Sequence, residues 1–581
     1  MAKRNLPIGI EFYKTVIDEA YFYVDKTLMI KELLDRQSYV NLFTRPRRFG
    51  KTLALDMLKT FFEKEMDEKG SVIDNSRYFA NMKIMDAGDQ YIQHMGKYPV
   101  IYLSFKSSKQ ADRDTAFWMI KKQIAEEYIR HQYVFQTDDL LEVEKNLYQS
   151  IMSLADDNKI YVDAISFLSR CLERYHHQKV IILIDEYDVP LENAYFAGFY
   201  DEMTAFIRSL MESALKTNES LKLAVITGCL RISKESIFTG LNNMNVISVI
   251  SDSFAEYFGF TEDEVTGMLE YYELEDKAED MKKWYDGYLF GQTHVYNPWS
   301  VISYLNGVIA DRITYPRPYW ANTSSNSIIK EMIEKSDDTT RAELEDIMSG
   351  KTIAKPIHED ITYEDIYSSQ DNLWNFLFFT GYLKAVDTHM VGARVYMIMA
   401  IPNMEVRYIY ENTIMEWFRR RVMKLDLAPL HHALLDGNAP TLEELIKGYL
   451  KASISYYDEN ESFYHGFILG LMSSLEQYRI LSNRETGNGR ADILLKPYDE
   501  QYTAVIIELK YAKEFRGLED GCQKALQQIE TMHYADELVE DGYQSILMYG
   551  ICFYKKNCKV ECRKYSLQRD NYTGYESKTS M

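Results

Sequence analysis

The chain has 581 residues, 46% hydrophobic and 14% aromatic, with 66 basic against 88 acidic side chains and a formal charge of −22. That length exceeds what one hydrophobic core serves and predicts about three to four domains. The charge excludes broad, indiscriminate wrapping of nucleic acid, so any such contact must be local.

No stretch reads as a signal peptide or a bilayer span, and no membrane partner is expected. Six cysteines, Cys171, Cys229, Cys522, Cys552, Cys558 and Cys562, lack a CxxC pair and are too sparse for a disulfide scaffold. They suit a reducing, cytoplasmic setting.

Residues 1–35 form a lead-in segment ending in a helical pattern over Lys26 to Leu34. A P-loop unit is expected over 36–260. It opens with the strand Tyr39 to Phe43, a glycine-bearing turn and the helix Leu53 to Phe62. Further strands are predicted over Tyr98 to Phe105, Val180 to Ile184 and Leu223 to Ile226, alternating with helices such as Ala116 to His131 and Ala205 to Ala214. Alternation of this kind implies a parallel sheet covered on both faces.

From Thr261-Glu262-Asp263-Glu264, an N-cap followed by acids, the pattern turns helical and predicts a helical lid or connector over 261–435. A second α/β unit is expected over 436–581. Its predicted order is helix Leu442 to Ile454, helix Ser462 to Leu475, strand Ala491 to Leu495, strand Ala504 to Lys510, helix Leu518 to His533 and strand Ser545 to Cys552.

The first chemical constellation is Arg45-Pro46-Arg47-Arg48-Phe49-Gly50-Lys51-Thr52, placed where a strand gives way to a helix. Backbone N–H groups and a helix start there can cradle phosphates. Lys51 would reach the β- and γ-phosphates, and Thr52 would hold Mg²⁺. The first glycine of the P-loop pattern is replaced by Arg45. The strand Val180 to Ile184 ends in Asp185 and Glu186, suited to ordering the Mg²⁺ shell and polarising an attacking water. Thr227, at the next strand end, is a candidate γ-phosphate sensor. Arg231 is a candidate for stabilising transferred charge, and if it acts in trans a homo-oligomer is required. Taken singly, each motif could be an ordinary turn or a helix cap; their order along the chain favours an ATP site.

These motifs resemble bacterial AAA-ATPase-like proteins that carry a C-terminal PD-(D/E)XK nuclease-superfamily domain. The resemblance rests on Tyr23-Val24-Asp25-Lys26-Thr27, on the Arg45 to Thr52 segment and on Leu183 to Pro190. It continues through Arg231 to Phe238, Leu241-Asn242-Asn243, Tyr285-Asp286-Gly287-Tyr288 and Tyr296-Asn297-Pro298-Trp299-Ser300. It implies nucleotide binding on a RecA- or AAA-like core, and it makes Arg45 a family habit.

The second constellation is Ile507-Glu508-Leu509-Lys510, whose period of two puts Glu508 and Lys510 on one face. Asp492, opening the preceding strand, can stand beside Glu508. Two carboxylates suit Mg²⁺ or Mn²⁺, with Lys510 orienting a nucleophilic water. Glu461 and His465 share a helix face and are candidates to complete the shell; Lys524 and Gln528 are candidates for backbone contact with nucleic acid. The C-terminal segments Phe463 to Gly466, Gly489 to Asp492, Ile507 to Lys510 and Ala525 to Ile529 resemble the PD-(D/E)XK domain of the same family, which implies a phosphodiesterase; the expected partner is nucleic acid, DNA ahead of RNA. Three readings follow: an ATP-controlled nuclease, a nucleotide-dependent switch whose nuclease-like domain binds without cutting, and an ATPase scaffold.

Overall fold

A computed structural model describes residues 3–67, 70–136, 140–232, 244–313, 315–320, 329, 338–348, 350–359, 363, 366, 369–422, 426–451, 461–472, 475–486, 489–566 and 576–577. The chain divides into two compact units, one of residues 1–326 with 352–409 and one of residues 327–351 with 410–581.

In the first unit, β1 (Val40–Thr44), β2 (Val100–Ser104), β3 (Val180–Asp185), β4 (Leu221–Gly228) and β5 (Met244–Ile247) form a parallel sheet in the order β2-β3-β4-β1-β5. All residues of β1 and β3 are buried. Their unbroken apolar runs therefore read as central strands covered on both faces. The register pairs Phe43 with Thr227, Ile184 with Ile226 and Ser104 with Asp185, so the polar residues ending these strands collect along one edge. Ligands of open parallel sheets bind at that carboxyl edge.

The flanking helices extend the predicted ones by a few residues, as Arg113–Arg130 and Tyr200–Leu215. Asp112 caps the first by accepting from the N–H of Thr115. Thr261 and Glu264 form a capping box at the start of helix Glu262–Tyr272.

Helices dominate after residue 261, with two small sheets interleaved that the helical composition did not announce. They are the hairpin β6 (Tyr288–Phe290) and β7 (Thr293–Val295), and an antiparallel sheet of β8 (Ile353–Pro356), β9 (Lys384–Val391) and β10 (Arg394–Ala400) in the order β8-β10-β9. Among the described residues no helix is long and apolar enough to cross a membrane.

The second unit holds a six-stranded mixed sheet in sequential order: β11 (Tyr478–Thr486), β12 (Gly489–Pro497), β13 (Ala504–Tyr511), β14 (Ser545–Tyr554), β15 (Asn557–Ser566) and β16 (Glu576–Ser577). Only β13 and β14 run parallel, joined by a crossover through helix Leu518–Thr531. That helix lies close on the sheet because a Cβ on Gly550 would come within 2.5 Å of the Cys522 carbonyl and one on Gly521 within 2.2 Å of Cys552 Sγ. Leu526 and Ile529 of the helix pack with Leu494, Ile506 and Met548 of the sheet. Strands β11 and β15 were not among the predicted elements.

Candidate functional site

At the first unit's carboxyl edge, β1 runs into the loop that starts helix Lys51–Phe62. The loop turns through positive φ at Arg48 (69°) and at Gly50 (81°), the second being the helix N-cap. Arg45 does not crowd this turn. Its fully buried guanidinium lies 4.8 Å from the Phe290 ring centroid and 5.4 Å from that of Phe258, and donates to the carbonyls of Thr44 and Ile247 at 3.0 Å. Burial pulls its pKa down to about 9. Replacing glycine there thus anchors the loop to β5 and the β6–β7 hairpin.

Lys51 is buried, and its ammonium donates to the carbonyls of Arg45 and Pro46, both at 2.9 Å. Asp185 is fully buried and accepts from two hydroxyls, Thr52 Oγ1 at 2.7 Å and Thr227 Oγ1 at 2.6 Å. The strand order explains this: β4 lies between β1 and β3, so Thr227 stands beside both neighbours. Thr227, expected to face a γ-phosphate, donates its hydroxyl to Asp185 in this structure, as Thr52 does. Glu186 follows with φ of 52°, and burial raises its pKa, with Lys51 opposing. Asp188, unremarked in the sequence, accepts from the N–H groups of Cys229 at 2.7 Å and Leu230 at 3.1 Å, tying the loops after β3 and β4 together.

Lys51, Thr52 and Glu186 border a cavity of about 350 Å³. Arg47, Arg48, Phe49 and Gly50 line it with them, whereas Asp185, Thr227 and Arg231 do not. Its other walls come from the lead-in segment, including Pro7, Gly9, Phe22 and Val24, and from Phe260, Pro298, Trp299 and Ile302. The sequence reading gave these no role, although the Tyr23 to Thr27 and Tyr296 to Ser300 motifs were visible. Asn297 caps helix Pro298–Asp311 and so fixes Trp299 at its first turn, where the Arg48 guanidinium lies 4.5 Å from its ring centroid. Six cations, Lys26, Arg47, Arg48, Lys51, Lys106 and Lys109, line the cavity against two acids, Glu11 and Glu186. In a chain of charge −22 this is a local anion site.

The cavity fits a nucleoside triphosphate with Mg²⁺. The wall between the lead-in segment and Trp299 is apolar and aromatic, the phosphate end is cationic, and Thr52 and Asp185 are joined where a hard cation would take oxygen donors from both. Arg231 is half-buried, and the motif residues after Ile232, from Ser233 to Asn243, lie outside the described residues.

In the second unit, Asp492 on β12 accepts from the N–H of Leu509 on β13 at 2.8 Å. Glu508 is 1% exposed; its Oε1 accepts from Lys510 Nζ at 3.0 Å, while its Oε2 is buried with no hydrogen-bond partner among the described residues. Burial and the neighbouring Asp492 carboxylate raise the Glu508 pKa to about 7. An orphaned buried carboxylate oxygen beside a second carboxylate is a site short of positive charge, which a divalent cation would supply; the donor set fits Mg²⁺ or Mn²⁺.

His465, on helix Glu461–Met472, bonds through Nε2 to the Asp492 carbonyl at 2.9 Å, so it steadies the strand. The Glu461 side chain lies outside the described residues. Gln528 Nε2 donates to the Tyr534 hydroxyl at 3.4 Å, and Lys524 pairs with Asp520 at 2.6 Å, both within their own helical region. No group of three or more metal-ligating side chains is present among the described residues.

Comparison with known proteins agrees with this architecture. Residues 7–238 match the family described as "Predicted AAA-ATPase", and residues 459–562 match the PD-(D/E)XK nuclease superfamily. The chain is also similar to the "Uncharacterized protein in vnfD 5'region" of Azotobacter chroococcum mcd 1. The two are 25% identical over 580 residues, which spans 96% of this chain and 98% of that protein. The chain is thus an α/β multidomain protein with an AAA-like N-terminal region, a middle region rich in helices and a C-terminal nuclease-superfamily domain.

Proposed function

We propose that this chain binds and hydrolyses ATP in the cationic cavity and cleaves nucleic acid, in the first instance DNA, at Asp492, Glu508 and Lys510, with nucleotide state governing cleavage. The ATPase and nuclease regions we place at 36–260 and 436–581, preceded by the lead-in 1–35 and separated by the connector 261–435. The unpaired thiols suit the cytoplasm.

At the nucleotide site, Lys51 exchanges its two loop carbonyls for the β- and γ-phosphates, and Thr52 and Asp185 are the residues that would hold Mg²⁺. Bound Mg²⁺ supplies neutralisation of the phosphate charge. Glu186 orients a water whose oxygen bonds to the terminal phosphorus as the bond to the β–γ bridging oxygen breaks. The electron pair leaves on ADP, and the water's proton passes to solvent by way of Glu186. Arg231 and Thr227 are assigned to stabilising and sensing that transfer.

At the second site, Asp492 and Glu508, with Glu461 as a third donor, would hold Mg²⁺ or Mn²⁺. The ion supplies charge neutralisation at the scissile phosphate and a readily ionised water. Lys510 orients that water for attack on phosphorus while the bond to the leaving sugar oxygen breaks.

The observation that carries the nuclease reading is the orphaned Glu508 Oε2 held beside Asp492 and Lys510. The test is product release from linear, circular and single-stranded DNA with Mg²⁺ or Mn²⁺, with and without ATP, comparing the parent with Lys510→Ala and Lys51→Ala. Cleavage lost in Lys510→Ala supports the nuclease. ATP-sensitive binding of DNA without cleavage under every condition would instead support the switch reading, which the charge of −22 and the Leu509 N–H already resting on Asp492 favour.

A further inference from the structure

Most of the cations lining the cavity are held by partners that also build the fold. Lys51 is tied to two carbonyls, Arg47 to Glu192, Lys26 to Glu264 and Arg48 to Trp299. Lys106 differs. It begins the short turn Lys106–Ser108 directly after β2, and its ammonium pairs with Glu11 of the lead-in segment, another cavity-lining residue. The pair is 48% and 38% exposed, so breaking it costs little.

The turn itself is fixed. Phe105 N–H donates to the Asp185 carbonyl at 3.0 Å, continuing the register that sets Ser104 opposite Asp185, and the buried Ser108 hydroxyl donates to the Phe105 carbonyl at 2.6 Å. The Lys106 charge is accordingly felt at the Glu186 carboxylate.

We propose that Lys106 is a catalytic cation of the nucleotide site, held by Glu11 when the cavity lacks nucleotide and transferred to the terminal phosphate when a nucleoside triphosphate binds. This assignment rests on the cavity being the nucleotide site. A terminal phosphate carries more charge than a carboxylate and offers more acceptor oxygens, so it outcompetes Glu11 for the ammonium. The diphosphate does not, because it lacks the group beside Glu186. During hydrolysis the ammonium neutralises charge building on the transferring group without forming or breaking a bond of its own. The exchange also makes the lead-in segment a reporter of the third phosphate, since Glu11 is released only when that phosphate is present.

The full chain is titrated calorimetrically with Mg·ATP and with Mg·ADP, and phosphate release is followed separately. Lys106→Ala is expected to weaken ATP about ten-fold while ADP stays within about two-fold, and to lower kcat about ten- to a hundred-fold. Glu11→Gln is expected to tighten ATP about two- to five-fold. Lys122→Ala, on helix Arg113–Arg130 and outside the cavity lining, should leave the ATP-to-ADP ratio near the parent's. Equal weakening of ATP and ADP by Lys106→Ala, an equal effect of Lys122→Ala, or weaker ATP binding by Glu11→Gln overturns the assignment. A parent that binds neither nucleotide, or a Lys51→Ala variant that binds both as the parent does, removes the nucleotide site and Lys106 with it. A parent that binds, with Lys51→Ala weakening both nucleotides and Lys106→Ala keeping the parent's ratio, removes Lys106 alone. Because Lys106 is half-exposed on a surface turn, circular dichroism checks that each variant retains the fold.

Discussion

At the ends of β1, β3 and β4, the polar groups of the nucleotide cavity satisfy one another: Lys51 rests on two carbonyls, and Thr52 and Thr227 both donate to Asp185. Between β12 and β13, Glu508 meets Lys510 on one oxygen, and its other oxygen, Oε2, is buried without a hydrogen bond of good geometry among the described residues. Both places collect charge at strand ends, yet Lys51, Thr52, Asp185 and Thr227 have partners without a ligand, whereas one oxygen of Glu508 does not. A site that must release its product every cycle benefits from internal partners that re-form when the ligand leaves. A site that retains an ion needs no such substitutes, and its charge imbalance is itself the affinity for the ion.

The sharpest test of that contrast is at the second site. Lys510→Ala and Glu508→Ala are each expected to reduce divalent-dependent DNA cleavage by about a thousand-fold. The same metal should raise the thermal stability of the parent and fail to do so for Glu508→Gln, as followed by calorimetry; equal stabilisation of both would break the comparison. At the first site, Lys51→Ala is expected to weaken ATP about a hundred-fold, read by calorimetric titration. Its fold should survive, because only two loop carbonyls lose a donor.

A smaller effect is expected at Gly228, which ends β4 beside the nucleotide loop. A Cβ there would lie 2.6 Å from the Tyr187 ring and 2.9 Å from Asp188 Oδ1. Gly228→Ala should cost about 2 kcal/mol of stability through overpacking, measured by denaturant unfolding. It should also loosen the loops that Asp188 joins, so ATP affinity falls with stability, which is what a site closed by packing predicts.

A separate test, read as a pH slope, sets a second buried glutamate against Glu508. Glu405 accepts from the Trp320 N–H at 2.8 Å, and the Ser300 hydroxyl lies 2.8 and 3.0 Å from its two oxygens. Burial nevertheless raises its pKa to about 8. Unfolding therefore releases its proton between the ordinary carboxylate range and pH 8. The stability it contributes is complete below that range, declines by about 1.4 kcal/mol per pH unit across it, and changes no further above pH 8. Glu405→Gln should remove that slope in urea unfolding followed from pH 5 to 9; an unchanged slope would mean that Glu405 ionises in the folded protein as it does in the unfolded one.

Much of the architecture was legible in the chain because it depends on local pattern. The runs Val180 to Ile184 and Ala504 to Lys510 are apolar, short and bounded by acids, so they read as buried strands ending in chemistry, and they are β3 and β13. Thr261 with Glu264 announced its helix by the capping box. Strands β11 and β15, carrying residues such as Arg479, Lys559 and Arg563, lacked that apolar continuity and were not anticipated.

The residue types at the two sites, and their order along the chain, were set by sequence, because phosphate and metal chemistry demand particular groups at turns and strand ends. Tertiary structure alone decided their partners. The strand order β2-β3-β4-β1-β5 lets Thr52 and Thr227 share Asp185, aromatic rings from two later segments give the Arg45 guanidinium a buried berth, and segments as distant as Gly9 and Trp299 close one cavity. Such contacts join residues 42, 133 and, for Arg45 with its rings, more than two hundred positions apart, and they depend on the burial of common apolar surface, which no local periodicity encodes.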